Sequence, residues 1–128
     1  PKSFGRLYNF GRAKLSCLIL FIGFNLLYFP MFIMGLRGMP RRYYDYPPEF
    51  SSMQMYSSIG AIILLAGVFL MVVNLWRGMR SGPAAGSNPW GGATLEWITP
   101  SPPSHHNFAQ EPQVTRDPYD FKGIGRGI

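Results

Sequence analysis

The chain has 128 residues and a net charge of +6, enough length for one small domain and enough basic excess to attract nucleic acid if it were soluble. The basic residues flank two long charge-free runs instead, so no nucleic-acid partner is expected. Cys17 stands alone, which excludes an internal disulfide or a thiolate metal cluster and leaves it as a small apolar residue.

Residues 1–14 make a basic lead-in, with Lys2, Arg6, Arg12 and Lys14 among Phe4, Tyr8 and Phe10, suited to the headgroup level of a bilayer. Residues 15–36 contain no Asp, Glu, Lys, Arg or His. As a helix these 22 residues extend about 33 Å, close to a hydrocarbon core of about 30 Å, and predict a transmembrane span. Pro30 removes the bond to the Leu26 carbonyl and is expected to kink the helix. Asn25, an amide near mid-span, is expected to face another helix rather than lipid. Gly35 and Gly38 bring the span to its end.

Residues 37–50 form a loop in which Arg37, Arg41 and Arg42 stand against Asp45 and Glu49, stiffened by Pro47 and Pro48. A second charge-free run, Phe50 to Trp76, predicts a transmembrane helix over residues 51–76, with Ser51 and Ser52 as candidate caps. Along it Ser57, Gly60, Leu64, Gly67, Met71 and Asn74 recur at steps of three and four. Small residues on such a stripe let a partner backbone approach, so Gly60 and Gly67 are expected packing positions. Ile62, Leu65, Phe69 and Val73 make the opposite face large and apolar, and Trp76 marks the membrane interface. A soluble hairpin would need polar residues every three or four positions, and neither run has them.

Residues 77–128 form an extramembrane tail rich in Pro and Gly, too poor in large apolar residues to build a core. Trp90, Leu95, Trp97, Ile98 and Phe108 argue that it drapes over a partner rather than floating free. No repeat or strand pattern is visible. The expected fold is therefore an all-α membrane protein, a two-helix transmembrane hairpin with an irregular tail. Basic flanks at both outer ends place both termini on the cytoplasmic or matrix side.

The chemistry concentrates at Arg41-Arg42, two permanently charged, fork-shaped anion donors at a membrane boundary. Alone, such a pair more often contacts lipid phosphate. Pro40 before it, and Tyr43, Tyr44, Asp45 and Tyr46 after it, point instead to a built pocket wall. His105 and His106 lack a further ligand at metal spacing, and Gly123–Gly127 is too short and too far from a strand to cradle phosphate. No carboxylate lies inside either span, and no nucleophile–base grouping follows from spacing.

These residues resemble the end of subunit I of the haem-copper oxidases. The resemblance rests on Phe21-Ile22-Gly23-Phe24-Asn25-Leu26, Phe29-Pro30 and Gly38-Met39-Pro40-Arg41-Arg42-Tyr43-Tyr44-Asp45-Tyr46-Pro47. It continues through Ser57-Ser58-Ile59-Gly60, Asn88-Pro89-Trp90, Thr94-Leu95-Glu96-Trp97, Pro100-Ser101-Pro102-Pro103 and His106-Asn107-Phe108, spanning about residues 1–112. It implies the eleventh and twelfth helices of a twelve-helix subunit, with the C-terminus on the matrix or cytoplasmic side. It implies that Arg41 and Arg42 contact the propionates of haem a and haem a3. The enzyme so implied takes electrons from cytochrome c, reduces oxygen to water and pumps protons. The form of residues 38–43 is more similar to members that oxidise cytochrome c than to those that oxidise quinol.

Two departures matter. Family members commonly carry His where this chain has Phe32. The ligands to both haems and to CuB belong to ten earlier helices that this chain lacks, so no catalytic or metal-ligating residue is expected here. The expected partners are the remaining N-terminal part of subunit I, other oxidase subunits, cytochrome c and membrane lipid. The start at Pro1 is expected to reflect a split subunit of the mitochondrial inner membrane, with a bacterial plasma membrane or a fragment of a longer chain as the other possibilities. An alternative is a two-span accessory or assembly protein with no haem contact, and another is a lipid-binding hairpin.

Overall fold

The computed structural model describes residues 1–108, 110–114 and 117–120; the Gly123–Gly127 run lies outside them. Helix α1 spans Phe10–Leu36 and helix α2 spans Ser51–Ser81, with one-turn 3-10 segments at Pro48–Phe50 and Leu95–Trp97. Among the described residues no strand forms, and one isolated antiparallel bridge joins Arg6 and Ala84. The chain divides into two compact units, Phe10–Asn74 and a terminal unit of Pro1–Asn9 with Leu75–Ile128, each described here by itself.

Both helices outrun their charge-free stretches. Helix α1 begins five residues before Leu15 and α2 ends five residues after Trp76. Arg and Lys lower hydropathy but are good helix formers, so charge marks the edge of the apolar run, not the end of the helix. Pro83 then ends α2, one residue past Gly82, whose N–H bonds to the Gly78 carbonyl at 2.9 Å. Within α1 the helix continues through Pro30.

Helix α1 stops in a Schellman arrangement. Gly38 has φ +88°, its N–H bonds to Gly35 O at 3.1 Å, and Met39 N–H bonds back to Met34 O at 3.1 Å. The start of α2 departs from the expected serine cap. Ser51 already has helical dihedrals (φ −52°, ψ −47°), which an N-cap residue does not adopt. The turn at Pro48–Phe50 leads into the helix instead, with Ser51 N–H on Pro48 O and Phe50 buried. Proline at that first turn loses no bond, because its N–H would be unpaired anyway.

The two helices meet along stripes spaced alternately by three and four. Leu20 lies against Gly67, Gly23 against Leu64, and Leu27 against Gly60. Each step forward on α1 matches an equal step back on α2, which is a single antiparallel register of the kind coiled coils use. A methyl group added at Gly23 would come within 2.5 Å of Leu64 N, and one at Gly60 within 2.6 Å of the Leu26 carbonyl carbon. Only hydrogen fits at these two positions. Ser16, Gly23 and Met34 on α1, and Ser57, Gly60, Gly67 and Asn74 on α2, are the buried members. The Ser57 hydroxyl has no hydrogen-bond partner among the described residues.

Elsewhere the hairpin shows its apolar side chains outward. Phe21, Phe29 and Phe32 on α1 and Ile62, Leu65 and Phe69 on α2 are each more than 60% exposed. That much bare hydrocarbon is stable only against lipid or other apolar helices. Asn25 lies on the exposed side of the hairpin. Its amide donates back to the Phe21 carbonyl at 2.8 Å, and the side chain is exposed, away from α2. Bonding one turn back satisfies one of its donors within α1, and its exposed side is where a helix other than α2 would meet it.

In the terminal unit the lead-in holds the tail. Leu7 N–H bonds to Pro83 O at 2.9 Å and Ala85 N–H to Gly5 O at 2.8 Å, either side of the Arg6–Ala84 bridge. Arg6 donates to Gly82 O at 2.9 Å. Lys2 Nζ reaches Ser87 O at 2.9 Å and Thr99 O at 2.5 Å, and sits 5.7 Å from the Trp97 ring centre. Tyr8, Trp90 and Trp97 form an aromatic chain, with centroids 6.4 and 5.4 Å apart. Residues 82–99 of the tail are thus tied to residues 2–8 of the same chain.

Lys2 is thus the pin of this unit. Replacing it with Met is expected to cost about 1–2 kcal/mol, the scale of charged hydrogen bonds discounted for the exposed one. Limited proteolysis checks this as several-fold faster cleavage within residues 86–102. Glu96 adds a pH dependence. The Thr94 hydroxyl, then its own backbone N–H, and the Lys2 charge hold its carboxyl below the ordinary 4.5. A depressed carboxyl contributes fully above its unfolded value, so cleavage accelerates only as pH falls below 4.5.

Candidate functional site

The site forms at the turn between the helices. A pocket of about 300 Å³ is lined by Met31, Met34 and Gly35 of α1, by Met39 to Tyr43 of the loop, and by Gln54 of α2. That volume lies at the lower end of the roughly 300–1,000 Å³ of ligand pockets, room for the edge of a large ligand rather than the whole of it. The Schellman stop of α1 delivers Met39 to the pocket, and Pro40 fixes the next φ.

Arg42 has φ +55°, a left-handed conformation that a side chain with a Cβ rarely adopts. The chain therefore turns sharply at the second arginine. Both guanidiniums are exposed, and neither has an ion pair among the described residues. Asp45, the nearest acid in sequence, is turned to another use, accepting the Tyr46 N–H at 2.8 Å. Arg41 and Arg42, without an ion pair among the described residues, line the pocket beside Met31, Met34 and Met39.

The tyrosines divide by role. Tyr43 lines the pocket and meets Tyr46 edge to face, with centroids 5.9 Å apart. Tyr44 is fully exposed and outside the pocket. Gln54 was not anticipated: its amide donates to the Tyr43 hydroxyl at 2.6 Å and to Met39 Sδ at 3.7 Å. A lone amide in the second turn of an apolar helix is the signal that could have found it.

This donor set fits haem propionates. Paired guanidiniums and a phenol suit two carboxylates, while Met31, Met34 and Met39 offer soft, polarisable contacts to an aromatic edge. The remaining expected residues lie elsewhere. Gly60 and Gly67 are in the helix contact, and Asn25 borders a shallow apolar groove with Phe21, Ile22, Leu26, Phe29 and Pro30. His105 and His106 are exposed in the tail, with ring centroids 4.9 Å apart.

Comparison with known proteins bears on the whole chain. The family model for cytochrome c and quinol oxidase polypeptide I matches residues 1–81. Cytochrome c oxidase subunit 1 of Thermostichus vulcanus is 41% identical over 126 residues, 98% of this chain and 23% of that protein. The subunit 1 of Synechocystis is 42% identical over 121 residues (94% of this chain, 22% of that protein), and that of Bacillus subtilis 41% over 118 (89% and 19%). The similarity therefore does not stop near residue 112 but reaches into the last sixteen residues. The chain spans about a fifth of the length of these curated relatives. With more than half of its residues matched by the family and about four in ten identical to subunit 1 proteins, the chain belongs to the cytochrome c and quinol oxidase polypeptide I family.

Proposed function

We propose that this chain supplies the last two membrane-spanning helices of the catalytic subunit of cytochrome c oxidase and holds haem propionates with Arg41 and Arg42. The complex reduces oxygen to water with electrons from cytochrome c and pumps protons. The observation that carries this reading is the pocket at the hairpin turn, where two exposed arginines have no carboxylate partner among the described residues and stand beside a methionine wall. Haem a and haem a3 supply the electron-transfer and oxygen-binding chemistry. The iron and CuB ligands come from the rest of subunit I, and this chain alone is not catalytic.

The chain's own contribution is electrostatic. In a partly dry site, guanidinium donors stabilise ionised propionates and lower their proton affinity. Their positive charge also acts on the iron, where it favours the reduced state. Both termini face the matrix or cytoplasm and the loop the opposite side, in a mitochondrial inner membrane or a bacterial plasma membrane. The relatives compared above are bacterial, so they do not favour the mitochondrial setting.

Position in the assembled oxidase tests this reading. A photo-crosslinker placed at Tyr46 is expected to join this chain to the part of subunit I beside the haem propionates. Crosslinks confined to peripheral subunits would support an accessory protein and overturn it.

A further inference from the structure

We infer that Gln54 is a positioning residue, a strut from α2 that holds the Arg41-Arg42 turn in its propionate-binding shape. The inference rests on the haem-propionate reading above. One amide nitrogen of Gln54 spans the turn, bonding the Tyr43 hydroxyl at 2.6 Å on one side and Met39 Sδ at 3.7 Å on the other. An NH₂ group has two protons, so both bonds form together. Met39 and Tyr43 are the residues that bracket Pro40, Arg41 and Arg42.

Each bracket is itself anchored. Met39 N–H is fixed to Met34 O at 3.1 Å, and the Tyr43 ring rests on Tyr46. Between them Pro40 has a locked φ, which leaves Arg41 and Arg42 as the adjustable residues. Arg42 nevertheless sits at φ +55°. A residue with a side chain holds such a conformation only where its surroundings over-determine it. The strut is that determinant. Without it, Arg42 relaxes to negative φ and its guanidinium leaves the pocket, while α2 and the helix contact at Gly60 and Gly67 are untouched.

Redox titration of haem in the assembled oxidase tests this, with Gln54→Leu, Tyr43→Phe, their double variant and Arg42→Gln side by side. Gln54→Leu is expected to shift the midpoint in the same direction as Arg42→Gln, by at least a third as much. Amide hydrogen exchange at residues 41–43 is expected to rise at least tenfold in Gln54→Leu. The double variant is expected to shift by clearly less than the sum of the two single ones, because they share the Gln54–Tyr43 bond. Additive shifts would assign the two residues separate roles and overturn the strut. A wild-type midpoint in Gln54→Leu with a shifted one in Arg42→Gln overturns the strut and leaves the haem reading standing. A wild-type midpoint in Arg42→Gln and in Arg41→Gln overturns that reading itself. Should Gln54→Leu fail to assemble, Tyr43→Phe decides: raised exchange at 41–42 supports the strut, and wild-type exchange overturns it.

Discussion

Oxidase assembled with Arg41→Gln and Arg42→Gln together is expected to show a haem a midpoint potential lower by on the order of 100 mV. Ferric haem carries one more positive charge than ferrous haem, so nearby cations oppose oxidation and their loss favours it. A unit charge about 10 Å from the iron, at an effective dielectric near 20, contributes about 1.7 kcal/mol, or roughly 70 mV for one electron. Two such charges give somewhat less than twice that, because a propionate freed of its guanidinium gains proton affinity and returns part of the charge. Electron transfer into the site slows in consequence. Arg41→Lys with Arg42→Lys separates the causes. Lysine keeps the charge but loses the two-pronged fork, so most of the potential is retained while the propionate geometry loosens. A lipid-phosphate role predicts no potential change in either pair. An unchanged titration in an assembled Gln double variant would falsify the propionate assignment.

What the sequence made legible follows from the range of each interaction. The two spans are readable because lack of a polar face is a property of the whole run, insensitive to any partner. The Ser57–Gly60–Gly67–Asn74 stripe is readable because small and polar residues stand out against Ile, Leu and Val. Its counterpart on α1 is not. Leu20, Gly23 and Leu27 are surrounded on every side by similar residues, so no face of α1 declares itself. Asn25 stands out as a mid-span amide, but its bond back to the Phe21 carbonyl is not written in the sequence. The caps at Ser51 and Ser52 fail because two prolines just upstream already set the helical turn. The lead-in and tail pair across 97 residues from Lys2 to Thr99, and no local pattern encodes so distant a bond. At the arginine turn, residue types reveal the anion chemistry, but the left-handed Arg42 and the Gln54 bond exist only in three dimensions.

Glycine replacement along the helix contact is expected to rank strictly by what a methyl group would strike. At Gly60 the added carbon meets only backbone of α1, the Leu26 carbonyl carbon at 2.6 Å and Leu27 Cα at 2.8 Å. At Gly23 it likewise meets Leu64 backbone, N at 2.5 Å and Cα at 2.8 Å. Backbone in a hydrogen-bonded helix cannot yield locally, so the helices must separate along their whole stripe. Overpacking of a well-filled contact costs about 1–3 kcal/mol, and separation adds lost dispersion at every neighbouring pair. Lipid does not offset this, because helix association in a bilayer draws on close contact rather than on expelled water. Gly60→Ala and Gly23→Ala are therefore expected to cut assembled, haem-loaded oxidase several-fold and to lower its Tm. Gly67→Ala should be milder, since its nearest neighbours at 3.0–3.1 Å include the Leu20 side chain, which has rotamers to spare. Gly35→Ala meets no atom of this chain within 4 Å and leaves the helix contact intact, but its methyl group enters the pocket proposed for haem. Equal assembly of Gly60→Ala and the unaltered chain would mean that the hairpin is held by its surroundings in the membrane, not by its own stripe.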